Sequence, residues 1–165
     1  MKSGPSNAHT AGMDAAGAPL DPHFHKGDMP CFATFRTEGG IELPPAARDR
    51  ILSRFLEEHG KRYAIFAAVV MADHAHLVLQ ALHAERGWPF DVESILVSLR
   101  EGSALDAQKA LGGNGLMWQR EMLTVDLRSQ EMLDEKCAFV RQNPVRWRAV
   151  KTPEDYRWLW LSTRT

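Results

Sequence analysis

Cysteine is scarce in this 165-residue chain: only Cys31 and Cys137 occur, so no disulfide framework can staple it, and a reducing cytoplasm is the expected compartment. Tyrosine is equally scarce, with Tyr63 and Tyr156 alone. Long hydrophobic runs are missing. The longest, about Ala64 to Met71, stops short of Asp73, which is too brief for a bilayer-spanning helix and suits a buried strand. The first residues have no apolar core of the signal-peptide kind, so export and membrane association are not expected. No repeat of solenoid period is present. With 44% hydrophobic and 25% charged residues, the composition excludes a wholly disordered chain, and the length suits one compact domain.

Net charge is also nearly absent, at -1, which looks wrong for a nucleic-acid binder until it is divided along the chain. Residues 141 to 165 hold six basic side chains (Arg141, Arg146, Arg148, Lys151, Arg157 and Arg164) against Glu154 and Asp155, a local +4 that leaves -5 for the rest. Trp147, Trp158 and Trp160, three of the five tryptophans, fall in the same segment. Arginine interleaved with stacking aromatics is what a single strand of nucleic acid requires. A tail that docks its tryptophans in the core and solvates its arginines has the same composition.

Residues 1 to about 22 are rich in Ala, Gly and Pro and hold too few large apolar groups to offset ordering entropy, which predicts a disordered leader ahead of a domain over 23–165. Cys31 to Thr37 reads as a strand closed by Gly39-Gly40. Pro44-Pro45 opens a helix with Ile51, Leu52, Phe55 and Leu56 on one face, ending by Gly60. Arg62 to Ala72 and His74 to Ala81 read as an antiparallel strand pair. Asp91 is placed to cap a helix through Ile95, Leu96 and Leu99 towards Leu111, with Gly102 as a point of interruption. A strand or strand pair is predicted between Leu116 and Leu127. A helix capped by Ser129 follows, with Leu133, Cys137 and Val140 as its core face and Pro144 as its stop. The β-α-β-β-α-β order predicts an α+β, ferredoxin-like fold, an antiparallel sheet with helices packed on it.

The chemistry-bearing stretch is Met71-Ala72-Asp73-His74-Ala75-His76-Leu77-Val78-Leu79. Strand alternation puts His74 and His76 on one face, about 6.6 Å apart along the chain. That spacing suits one metal ion but supplies only half a coordination shell, and paired strand histidines also serve as plain hydrogen-bonded residues.

Phe32-Ala33-Thr34-Phe35-Arg36, Val69 to Leu79, Trp118-Gln119, Gln142-Asn143-Pro144-Val145-Arg146 and Pro153-Glu154-Asp155-Tyr156-Arg157-Trp158, in that order and spacing, resemble the REP-associated tyrosine transposases of the His-hydrophobic-His single-tyrosine superfamily. The resemblance runs from about Cys31 to Trp160. It implies a ferredoxin-like core acting on single-stranded or hairpin DNA, and a Mg²⁺ or Mn²⁺ ion held by His74, His76 and Asn143. It also implies a nucleophilic tyrosine one helical turn before Asn143. That place is occupied by Phe139, which has no oxygen, so no phosphotyrosine can form there. Ala75 and Ala72 are smaller departures from the family pattern. Arg141, Arg146, Arg148, Lys151, Arg157 and Trp158 are the expected DNA contacts.

Three readings follow. One is a DNA-binding relative of the transposases impaired in covalent cleavage. Another is an active transposase or nuclease that uses Tyr156 or a metal-bound water. The third is a structural ferredoxin-like domain without DNA chemistry, for which a second copy of the chain, as a homodimer, is the natural partner.

Overall fold

The computed structural model describes residues 28–113 and 118–163; the proposed leader and Asn114-Gly115 lie outside the described residues. Five strands and three helices follow in the order β1 (Cys31–Arg36), α1 (Pro45–Leu56), β2 (Tyr63–Val70), β3 (His74–Ala81), α2 (Val92–Ala110), β4 (Leu123–Asp126), α3 (Gln130–Arg146) and β5 (Leu159–Leu161). The strands form one sheet in the order β4-β1-β3-β2-β5, antiparallel throughout. This is the predicted α+β, ferredoxin-like arrangement, extended by α3 and β5. No helix among the described residues is long and apolar enough to cross a membrane.

Sequence pattern accounts for each element. Gly39 and Gly40 turn the chain after β1 with φ of 62° and 68°, a region that favours glycine. Pro45 opens α1, where its missing N–H costs nothing, and Ala47, Ile51 and Phe55 recur every four residues as its buried stripe. Asp91 caps α2 by accepting a hydrogen bond from Ser94 N at 2.9 Å. Contrary to expectation Gly102 does not interrupt α2: the Arg54 side chain lies over it, with Nε 3.2 Å from where a Cβ would stand, on its way to Asp106 at 2.7 Å. The glycine makes room between the helices. Ser129 caps α3 through Met132 N.

Three further expectations are corrected. Between residues 118 and 127 the sheet gains only the four residues of β4, because Trp118 turns inward and donates from Nε1 to Ser103 Oγ of α2 at 2.9 Å, leaving a single bridge to Thr37. Pro144 does not stop α3, which runs on to Arg146. The helix ends in a Schellman arrangement, with Ala149 N bonded to Pro144 O and Arg148 N to Val145 O, both at 2.9 Å. Arg148 takes the left-handed position of that motif, φ 56°, where glycine is usual. Cys137 is only half-buried, and the buried face of α3 is Leu133, Val140, Asn143 and Pro144.

The sheet separates two cores. On one side α1 and α2 enclose Phe35, Ile51, Phe55, Tyr63, Leu77, Leu79, Ile95 and Trp118. On the other α3 covers Phe32, Ala67, Val69, Val78, Leu127, Leu133, Val140 and Tyr156. Cys31 is buried, and desolvation, with Asp126 beside it, pushes its thiol up to about 12, so it behaves as a small apolar residue.

The basic tail is part of this architecture. β5 pairs with β2 through Ala68↔Trp160, and Trp158 lies half-buried against both cores. Its Nε1 donates to Asp49 Oδ1 at 2.8 Å and the Arg48 guanidinium sits 4.0 Å from its ring. Trp158→Ala is therefore expected to cost ~2–4 kcal/mol of folding stability, a partly buried version of a tryptophan truncation. Urea denaturation reads this directly; a change below ~0.5 kcal/mol would show that the ring carries no packing.

Candidate functional site

Strand register brings the predicted residues to one place. Across β3, His74, His76 and Val78 face α3, opposite Arg36, Thr34 and Phe32 of β1, while Ala75, Leu77 and Leu79 face the other core. His74 and His76 are 8% and 7% exposed, with ring centroids 4.8 Å apart. Asn143, 2% exposed, lies on the buried face of α3. All three line a single cavity of about 280 Å³, together with Phe139, Arg36, Thr37, Asp73, Gln119 and Trp147.

Both imidazoles are held by the same nitrogen. Asp73 Oδ1 lies 2.6 Å from His74 Nδ1, and since an ionised carboxylate only accepts, Nδ1 carries a proton. Thr34 Oγ1 lies 2.8 Å from His76 Nδ1. With Nδ1 as donor there as well, both rings keep Nε2 available as a ligand atom, as outer-shell partners of metal-bound histidines commonly arrange. Burial first, then the electrostatic influence of the neighbouring His74, Arg36 and Lys136, lowers the His76 pKa to about 3. The ring is therefore neutral at physiological pH, the form that donates to a metal.

No three His, Cys, Asp or Glu side chains gather into a metal-holding group among the described residues. A third ligand would have to be the Asn143 amide, and its Oδ1 is buried without a hydrogen-bond partner. A buried acceptor left unsatisfied costs ~1–3 kcal/mol. A hard divalent cation would satisfy it, so the donor set of two imidazole nitrogens and one amide oxygen fits such an ion.

Phe139 lies between the histidines and the helix. Its ring meets His76 and Phe32 edge-on at 5.3 and 5.8 Å, and cationic atoms of Arg146 and Lys136 lie 5.1 and 5.7 Å from its centroid. It is half-buried and lines the cavity, one turn of α3 before Asn143. Tyr156 lies over a smaller adjoining cavity that His74 also lines. Its hydroxyl donates to Val70 O at 2.9 Å, accepts from Arg48 at 3.3 Å, and burial raises its pKa. That phenol is committed to the fold.

The basic residues divide. Arg146 reaches the cavity through Phe139, and Arg148 stands exposed at the end of the same helix. Arg141 is paired with Glu154 and Arg157 with Asp49, and Lys151 is exposed on the loop after α3. Trp158 belongs to the β2–β5 edge rather than to the cavity. Sequence reasoning gave no site role to Thr34, Asp73, Lys136 or Arg36, and it placed Trp147 in the basic tail without connecting it to the histidines. Asp73 was adjacent to His74 in the motif, but Thr34 and Arg36 become visible only through the register of β1 on β3, which are not consecutive strands.

No family model matches the sequence, and no curated protein matches it. Solved structures do. A REP-associated tyrosine transposase bound to a REP hairpin superimposes with a TM-score of 0.59 at 18% identity, over 86% of this chain and 81% of that one. A candidate transposase of Deinococcus radiodurans R1 gives a TM-score of 0.48 at 14% identity, over 74% and 95%. The fold is thus the one that REP-associated tyrosine transposases have.

The orphaned amide yields a direct test. Asn143→Leu, similar in volume but with no oxygen to bury, is expected to leave the metal-free protein as stable as before or up to ~1–3 kcal/mol more stable. Denaturant unfolding in the presence of a chelator measures it. A loss beyond ~1 kcal/mol would mean that the amide supports the fold in its own right.

Proposed function

We propose that this protein binds single-stranded or hairpin DNA as a relative of the REP-associated tyrosine transposases, holds a divalent ion at His74, His76 and Asn143, and does not form the covalent protein–DNA bond. The observation that carries the reading is the shared cavity: two imidazoles each engaged at Nδ1, an orphaned buried amide oxygen and Phe139 all line it. The fold it shares with a transposase that binds a REP hairpin supports DNA as the partner. Mn²⁺ and Mg²⁺ both suit the donor set, the imidazoles favouring Mn²⁺ and the amide oxygen suiting either.

When bound, the ion would withdraw charge from a phosphate oxygen of the strand. The remaining work falls to the chain's own groups. Asp73 and Thr34 hold the imidazoles in the tautomer that presents Nε2. Arg36, Lys136 and Arg146 surround the cavity with positive charge and attract the DNA backbone. Phe139 contributes a ring without an oxygen, so no group at that place can attack phosphorus. Binding survives and strand cleavage through a phosphotyrosine does not.

Three measurements test this. Mn²⁺ titration should raise the melting temperature through linkage, and His76→Ala should abolish the shift; an equal shift in the variant would remove the metal site. Mixed with Mn²⁺ and a hairpin carrying a single-stranded flank, the native protein should give no covalent species on a denaturing gel, whereas Phe139→Tyr should give one. A covalent species from the native protein that Tyr156→Phe removes would make the chain an active transposase. A loss of several kcal/mol on Phe139→Tyr would place the ring in the core and away from the site. Hairpin affinity should fall steeply with salt, by about 0.9 in log K per log salt for each phosphate neutralised on duplex.

A further inference from the structure

We propose that the exposed face of Trp147 is a stacking platform for one unpaired nucleobase, next to the phosphate that lies over the His74, His76 and Asn143 cavity, with Arg148 holding the flanking backbone. This rests on the DNA-binding reading and adds to it one position of the strand at which the presence of a base is felt.

Trp147 is 63% exposed and belongs to neither core. Its indole is nevertheless not loose. It lies against His74 with centroids 5.4 Å apart, it lines both the 280 Å³ cavity and the adjoining one of about 140 Å³, and its backbone N bonds to Asn143 O at 3.0 Å. A large aromatic surface is thus fixed to one of the candidate metal ligands while one side stays open to solvent. Charge selects the occupant. Arg36 lines the larger cavity and Arg48 the smaller. Arg146 and Arg148 flank Trp147 in the chain and make no ion pair among the described residues. The acid that lines both cavities, Asp73, is committed to His74. An aromatic face beside cavities lined by Arg36 and Arg48, with the exposed Arg148 next in the chain, suits a base and its phosphates rather than an apolar peptide. Arg148 adds an independent sign. It keeps a large cation at a left-handed backbone position, φ 56°, that glycine would occupy without strain.

The test is fluorescence anisotropy with a hairpin oligonucleotide carrying a single-stranded flank, compared with a series in which one flank position at a time is abasic. Affinity of the native protein should fall by roughly 5- to 150-fold at one position. Trp147→Ala should weaken the intact oligonucleotide by a similar factor, lose sensitivity to that abasic position and keep its melting temperature, while Trp147→Phe retains most of the binding. Arg148→Gly should raise the melting temperature and make the salt dependence of binding shallower by about 1 in slope. If the native protein binds the flanked hairpin and Trp147→Ala binds it equally well, the platform is wrong and the DNA reading stands. If Trp147→Ala still senses the abasic position but loses the Mn²⁺-induced shift, Trp147 positions His74 instead, and the platform is again wrong. If the native protein binds no hairpin even at low salt, the DNA reading fails and the platform with it.

Discussion

The alternation of β3 is the constraint from which the rest of the molecule follows. Hydrogen-bonded to β1 on one side and β2 on the other, the strand must send successive side chains to opposite faces of the sheet. Ala75, Leu77 and Leu79 therefore enter the core under α1 and α2, and His74, His76 and Val78 enter the space under α3. A slip of one residue would bury both imidazoles among Phe35, Phe55 and Ile95 and turn Leu77 towards Asn143. The bulge of β2 at Phe66 belongs to the same constraint. The one extra residue lets Ile65 serve the first core and Ala67 and Val69 the second, with Val69 opposite His76.

Much of this was legible in the residues. Alternation placed His74 and His76 on one face, four-residue periodicity found α1, and Asp91 and Ser129 announced their helices as caps. What stayed hidden was set by contacts distant in sequence. Nothing in Ser103 or Trp118 alone announces that the indole will turn inward to a helix hydroxyl and shorten the strand after it. Gly102 looked like a break because its neighbour across the helix pair, Arg54, lies 48 positions away. Pro144 looked like a stop, yet it removes a single N–H, the donor that would have reached Val140 O, and the helix needs only two more residues before the Schellman closure takes up Pro144 O and Val145 O. The tail is the plainest case. Its composition suits nucleic acid and suits docking, and both descriptions hold for different tryptophans: Trp158 and Trp160 dock with β5 while Trp147 stays at the surface.

The locally unfavourable features are concentrated at one end of the sheet. An amide oxygen is buried without a partner at Asn143, an imidazole is kept neutral at His76, and a non-glycine residue is held at positive φ at Arg148. Elsewhere among the described residues Gly39 and Gly40 take left-handed turns, Asp91 and Ser129 cap α2 and α3, and leucine and isoleucine fill the interior. The unpartnered amide, the neutral imidazole and the strained backbone thus lie on or next to residues that line one cavity, and the packed elements around it hold them in place.

The sheet divides the interior into two packed sides. Phe35, Ile51 and Phe55 fill the α1/α2 side, Phe32, Val69 and Val140 the α3 side, and Trp158 packs against both. Position 139 is half-buried on the α3 side, so an oxygen added to its ring would meet the cavity beside His76 and not the packing of α1 on α2.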